Sequence, residues 1–256
     1  MRKINLWTLL FVILQSAILV GCGSTSSSKL KIRNGVPIDF VNAPDIAKST
    51  VGLILGAGGN TGTCSGTLIG TRLVLTAAHC LTSNTIQVYL GSDFRRSDSG
   101  ILIAARRSRY PDTYNLYTNS RSIQPNDIAI VELADRAPYP YEPMPLWEKE
   151  LEPGDTVFLA GFGRDGNGFR TGLLQGTSSV LQEIDSEGRY IVEGINQEGA
   201  CSGDSGGPLF TVQDGKWYVA GALSGGPVPC IGLNIYTSTY SEREFLEETI
   251  DSLTQY

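Results

Sequence analysis

The 256-residue sequence predicts an all-β fold rich in turns, and three observations carry that reading. Glycine occurs 30 times and proline 12 times. Apolar residues make up 41% of the chain and fall in many short runs. Short apolar runs separated by turn residues suit strands and tight connections, and the apolar fraction is enough for a packed core. The length allows one large domain or two small ones. A formal charge of −6 argues against a nucleic-acid binder, which carries a basic surplus. A single histidine excludes any multi-histidine metal site, and five cysteines leave one without a partner inside the chain.

Read in order, the chain opens with Met1-Arg2-Lys3, then a mostly apolar stretch from Ile4 to Val20. Leu19-Val20-Gly21-Cys22 and a serine-rich run follow. A basic start, an apolar core and a small-residue junction read as a secretory signal over residues 1–21. Leu-Val-Gly-Cys resembles the lipobox of bacterial lipoproteins, in which Cys22 is lipidated and becomes the first mature residue. Residues 22–31 then form a flexible serine-rich tether. The glycine- and threonine-rich stretch from Gly52 to Gly70 suits tight hairpins. Leu68 to Leu75 reads as a buried hairpin that delivers His79 at a strand end. Ile128 to Leu133 reads as a buried strand directly after Asp127. Three prolines between Tyr139 and Leu151 mark a linker. Gly161 to Gly176 is glycine-dense and reads as a surface loop. Ser241 to Leu253 carries Phe245, Leu246, Ile250 and Leu253 at helical spacing, as in a helix packed on the outside of the fold.

Two segments carry chemistry. Thr76-Ala77-Ala78-His79-Cys80 holds the lone imidazole. Cys201-Ser202-Gly203-Asp204-Ser205-Gly206-Gly207-Pro208 packs small, turn-forming residues around one serine. A serine hydroxyl needs a base beside it to become a nucleophile, and His79 is the only imidazole available. The base needs an acid to hold its tautomer, and Asp127 precedes a buried strand. Chain order separates the alternatives. Gly203 to Gly207 also matches the Gly-x-Ser-x-Gly elbow of α/β-hydrolases, but those enzymes place histidine after serine, and no histidine follows Ser205. The subtilisin order needs an acid before His79, for which only Asp39 and Asp45 are available. His79, Asp127, Ser205 is the chymotrypsin order.

From about Ile32 to the C-terminus the chain resembles the trypsin/chymotrypsin-like serine proteases. Thr76 to Cys80 and Gly203 to Pro208 match the two signatures without departure. Cys64-Ser65-Gly66-Thr67-Leu68-Ile69 is similar to the strand before the histidine motif. Arg109 to Asn115 and Asn126-Asp127-Ile128-Ala129 resemble the acid region, and Ala160-Gly161-Phe162-Gly163 resembles a strand of the second barrel. The resemblance implies two packed six-stranded antiparallel β-barrels with a C-terminal helix over residues 32–256. Barrel one is expected over about 32–142, the linker over 143–152 and barrel two over 153–256.

The resemblance also implies roles. Ser205 is the nucleophile, His79 the base and Asp127 the orienting acid. The backbone N–H groups of Gly203 and Ser205 form the oxyanion hole. Gly199 and Ala200 lie at the floor of the specificity pocket, and the absence of charge at Gly199 argues against cleavage after Lys or Arg. Ser224, Gly225 and Gly226 form the edge that pairs with substrate backbone. Gly225 departs from the family's tryptophan and is expected to widen that wall. Asn234 falls on the pocket wall. Cleavage after Lys31 would free an Ile32 amine to pair with Asp204. Cys64 pairs with Cys80 and Cys201 with Cys230, which leaves Cys22 as the lipid anchor. The implied enzyme is a monomeric endopeptidase acting on polypeptides at the bacterial cell envelope. It needs no metal or organic cofactor and binds no nucleic acid. Its rival is a non-catalytic binding or adhesion module on the same fold.

Overall fold

A computed structural model describes residues 31–56, 62–96, 99–116, 123–164, 172–194, 199–227 and 230–254. The signal, Cys22 and nearly all of the tether lie outside the described residues, as do residues 165–171 of the glycine-dense segment.

Six strands close the first barrel. They are β2 (Thr50–Leu55), β3 (Gly62–Leu68), β4 (Leu73–Thr76), β5 (Ile86–Gly91), β6 (Gly100–Arg109) and β7 (Ala129–Leu133). Their order is β2-β3-β4-β7-β6-β5, and β5 pairs back onto β2. Six more close the second: β8 (Thr156–Gly161), β9 (Gln175–Ile184), β10 (Tyr190–Glu193), β11 (Pro208–Gln213), β12 (Lys216–Gly225) and β13 (Leu233–Ser238). Their order is β9-β10-β13-β12-β11-β8, closed by the antiparallel β8–β9 pair. The expected architecture of two antiparallel six-stranded barrels is therefore present. Closure leaves neither barrel with an open edge.

The burial of each strand follows from what lies on its two faces. Val51, Leu53, Leu68, Val74, Val88, Val131 and Leu133 fill barrel one. Leu73, Leu75, Ile128 and Ile130 point the other way, into a cluster that also takes Phe162, Phe210 and Val219 from barrel two. Strands β4 and β7 are thus covered on both faces, which is why they read as continuous apolar runs rather than as alternating ones. Barrel two has its own core, with Val157, Leu159, Leu181, Tyr190, Leu209 and Tyr236. The shared cluster locks the two barrels together and fixes the cleft between them.

Three elements refine the expectation. Strand β1 (Lys31–Pro37) pairs with β9, placing the first described residues on barrel two rather than at the start of barrel one. A short helix, α1 (Pro44–Ser49), precedes β2 and buries Ile46 and Ala47. The C-terminal helix α2 (Arg243–Thr254) is present, but it does not simply lie on the outside of a barrel. It presses Leu246 and Leu253 into the cluster between the barrels and makes contact with β7.

Candidate active site

The β3–β4 hairpin delivers His79. Thr76 ends β4, Ala77 is extended, and Ala78–Leu81 form one turn of 3-10 helix that holds His79 at the barrel rim. A Cys80–Cys64 disulfide ties that turn back to β3. Asp127 precedes β7, after Asn126 in a left-handed conformation (φ +59°). Its side chain is 3% exposed against 33% for His79. Burial of a carboxylate demands donors, and three converge on it. The His79 backbone N–H reaches Oδ1 at 2.9 Å. His79 Nδ1 lies 2.7 Å from Oδ2, and the Ser224 hydroxyl donates to the same oxygen at 2.5 Å. The Asp127 carbonyl accepts from the Thr237 hydroxyl at 3.1 Å. Residues of barrel two therefore orient an acid carried by barrel one. Asp127 can only accept, so Nδ1 carries the proton and Nε2 presents its lone pair.

Ser205 sits in the turn between Cys201 and Pro208. Gly203 (φ +101°) and Gly206 (φ +74°) adopt conformations that a side chain would strain. A Cβ at Gly206 would also meet the Ala77 backbone nitrogen at 2.7 Å, so glycine lets the serine turn press against the histidine segment. Ser65 fastens it there: its N–H donates to the Ser205 carbonyl at 2.7 Å and its hydroxyl to the Gly203 carbonyl at 2.9 Å. Phe162 N–H in turn donates to the Ser65 hydroxyl. Among the described residues, no acceptor takes the N–H of Gly203 or of Ser205. The Cys201–Cys230 disulfide links this turn to the segment before β13.

Asp204 is 1% exposed. It accepts from Gly163 N–H at 2.8 Å and Cys201 N–H at 2.9 Å. Burial pushes its pKa up to about 6, against the opposing pull of those two amides. Among the described residues no cation pairs with it. The His79 ring lies near the sulfurs of Cys64 and Cys80, but those sulfurs are joined and offer no thiolate to a metal.

Ser205 lines a cavity of about 190 Å³ with Ala200, Cys201, Leu223, Gly225 and Gly226. Asn234 is buried behind it, and its amide lies 3.1 Å from where a Cβ of Gly199 would be and 2.8 Å from that of Gly226. The predicted pocket residues are thus brought together. The open wall expected at Gly225 is not found. Ile123 fills it: a Cβ on Gly225 would lie 2.7 Å from Ile123 Cδ1. Sequence reasoning missed Ile123 and also Ser65 as an anchor. Neither has a signal of its own beyond lying near a motif.

The Trypsin family model matches residues 41–244. The chain belongs to the trypsin family. Among relatives, it is 32% identical over 225 residues to phenoloxidase-activating enzyme 1 of Spodoptera litura, covering 74% of this chain and 59% of that protein. It is 31% identical over 186 residues to mouse cathepsin G, covering 66% of this chain and 69% of that one. It is 32% identical over 194 residues to mouse chymotrypsin-C, with 64% and 68% covered. The chain spans between about two fifths and three fifths of the length of the first three curated relatives. The atomic-resolution structure of HBP superposes with a TM-score of 0.68 at 21% identity, over 84% of this chain and 95% of that one, which supports the trypsin-family fold.

Proposed function

We propose that this trypsin-family protein is a serine endopeptidase that hydrolyses peptide bonds through an acyl-enzyme. The observation that carries the reading is the Asp127 carboxylate, buried and hydrogen-bonded at once to the His79 backbone, His79 Nδ1 and Ser224. That arrangement leaves the lone pair of His79 Nε2 to act as the base, on a segment against which the Ser205 turn packs. Ser205 Oγ attacks the scissile carbonyl while His79 takes its proton. His79 then protonates the leaving amine, and the same base activates water to release the acyl group. Asp127 steadies the imidazolium without taking the proton. The uncommitted N–H groups of Gly203 and Ser205 receive the oxyanion, each contributing about 3 kcal/mol to the transition state.

The buried carboxylate of Asp204 supports activation by cleavage after Lys31. A freed Ile32 amine would supply the cation that Asp204 lacks among the described residues. An uncharged P1 side chain is favoured, because neither Gly199 nor Asn234 offers a charge. Cys22 anchors the monomeric precursor to the bacterial envelope, and the substrates are polypeptides. The test is labelling with a fluorophosphonate probe alongside hydrolysis of an unfolded protein substrate. Labelling and hydrolysis are both expected, and both vanish in Ser205→Ala. Processed protein that neither labels nor cleaves would instead be a binding module.

A further inference from the structure

One residue of barrel one grips both residues whose amides are proposed to receive the oxyanion. Ser65, on β3, is fully buried. Its hydroxyl donates to the Gly203 carbonyl at 2.9 Å and accepts the Phe162 N–H at 2.9 Å. Its own N–H donates to the Ser205 carbonyl at 2.7 Å. Gly203 has φ +101°, where a glycine backbone has wide latitude, so its neighbours must fix the direction of its N–H. They hold the peptide groups on either side of it. The Ser202 carbonyl accepts from Arg164 N–H at 3.1 Å. The peptide after Gly203 is held at both ends, by Ser65 at its oxygen and by the Cys201 carbonyl, 2.9 Å from Asp204 N–H. Arg164 and Cys201 belong to barrel two. Ser65 belongs to barrel one, and its carbonyl accepts at 2.8 Å from the hydroxyl of Thr76, which ends the strand that leads to His79.

We propose that Ser65 is a positioning residue for catalysis, whose hydroxyl holds Gly203 so that the Gly203 N–H is aimed at the oxyanion and kept in register with His79. This rests on the serine endopeptidase reading and deepens it. Ser65 touches no reacting atom and acts through Gly203. An oxyanion donor stabilises the transition state most when it is aimed before the charge develops, because it then costs no reorganisation. With alanine at position 65 the backbone bond to the Ser205 carbonyl survives. The Gly203 carbonyl and the Phe162 N–H, however, lose the partner they share inside the protein. One of the two oxyanion donors is loosened, and the contacts between His79 and Asp127 are untouched.

The experiment measures kcat and KM on a peptide anilide, and the affinity of a peptide boronic acid, for wild type and Ser65→Ala. Rates are counted per fluorophosphonate-labelled site, so misfolded protein drops out. The boronic acid binds the serine as a tetrahedral anion and therefore reads the oxyanion hole. Ser65→Ala is expected to lower kcat about tenfold or more, to weaken the boronic acid by a similar factor and to leave KM within about twofold. The acid limb of the kcat/KM pH profile, which reports His79, should stay in place. Ser65→Gly removes the same hydroxyl and serves if Ser65→Ala folds poorly. Wild-type kcat and boronic acid affinity in the variant overturn the proposal. A loss confined to KM overturns it as well, and so does a loss with a displaced His79 limb, which would mean that the whole site has shifted. Wild type that labels and cleaves beside an unaffected Ser65→Ala sinks this proposal alone. Processed wild type that neither labels nor cleaves sinks both readings.

Discussion

Asp204 is where burial and charge oppose each other most directly at the scale of one residue. Its carboxyl is fully enclosed, and in the uncleaved chain only two amides face it among the described residues. An acid whose pKa rises on folding, here from 3.8 to about 6, binds protons more readily in the native state. Native stability from this group is therefore greatest below the unfolded value and falls as pH rises through about 6. The loss approaches about 3 kcal/mol at neutral pH. In a chain kept uncleaved by Lys31→Gln, urea unfolding should show this decline between about pH 4 and pH 7. Adding Asp204→Asn should flatten it, whatever the variant's absolute stability. Parallel profiles for the two proteins would mean that an ionised Asp204 is not the cause. The same residue illustrates legibility. Its place before Ser205 is plain in the sequence, but its isolation depends on Gly161 and Gly163 closing over it from β8 and the residues just beyond.

At the scale of elements, the wall of the substrate cleft is shared between barrels. Gly225 ends β12, and Ile123 approaches it from the segment before β7. The guanidinium of Arg189 reaches the Ile123 carbonyl at 3.4 Å from the turn before β10. A family-like tryptophan at 225 would collide with Ile123. Gly225→Trp is expected to cost about 1–3 kcal/mol in stability through overpacking and to lower peptide hydrolysis. Ile123→Ala combined with Gly225→Trp should recover most of both losses, because one removes what the other displaces. A double-mutant cycle read by urea unfolding and by kcat/KM measures that coupling. Strictly additive effects would show that the two side chains do not compete for the space. The sequence displays the unusual glycine. It does not display its complement, which lies 102 positions away.

For the whole molecule, the proposed activation and anchoring both fall on the N-terminal segment. Lys31 lies opposite Gly176 on β9, and Gly176 lies opposite Ala160 on β8. The next residue of β8, Gly161, packs against Asp204. The segment proposed to be cut therefore runs two strands away from the carboxylate that its new amine is proposed to meet. Lys31 is also nine residues beyond Cys22, so under the proposed activation and anchoring one cut would both switch the enzyme on and free it from the proposed lipid anchor. Wild type expressed in a bacterial host is expected to yield a soluble form beginning at Ile32 that labels with fluorophosphonate. Lys31→Gln should remain in the membrane fraction and fail to label. Active enzyme found entirely on the membrane would sink the link between activation and release.

The sequence by itself determined the fold class, the family and the residues in its two motif windows. Those windows are legible because nucleophile turns and histidine motifs need particular residues at adjacent positions, and the order His79, Asp127, Ser205 excluded the rival hydrolases. Only the tertiary structure decided what surrounds them. Ser224 meets Asp127 across 97 positions, Ser65 meets Gly203 across 138, and β1 joins the barrel that the sequence reading did not assign it to. It also decided that Ile123 fills the gap above Gly225. The reason is physical. Local patterns report backbone conformation and which face is apolar, whereas these contacts depend on strand register and barrel closure, which bring together segments that share no local pattern.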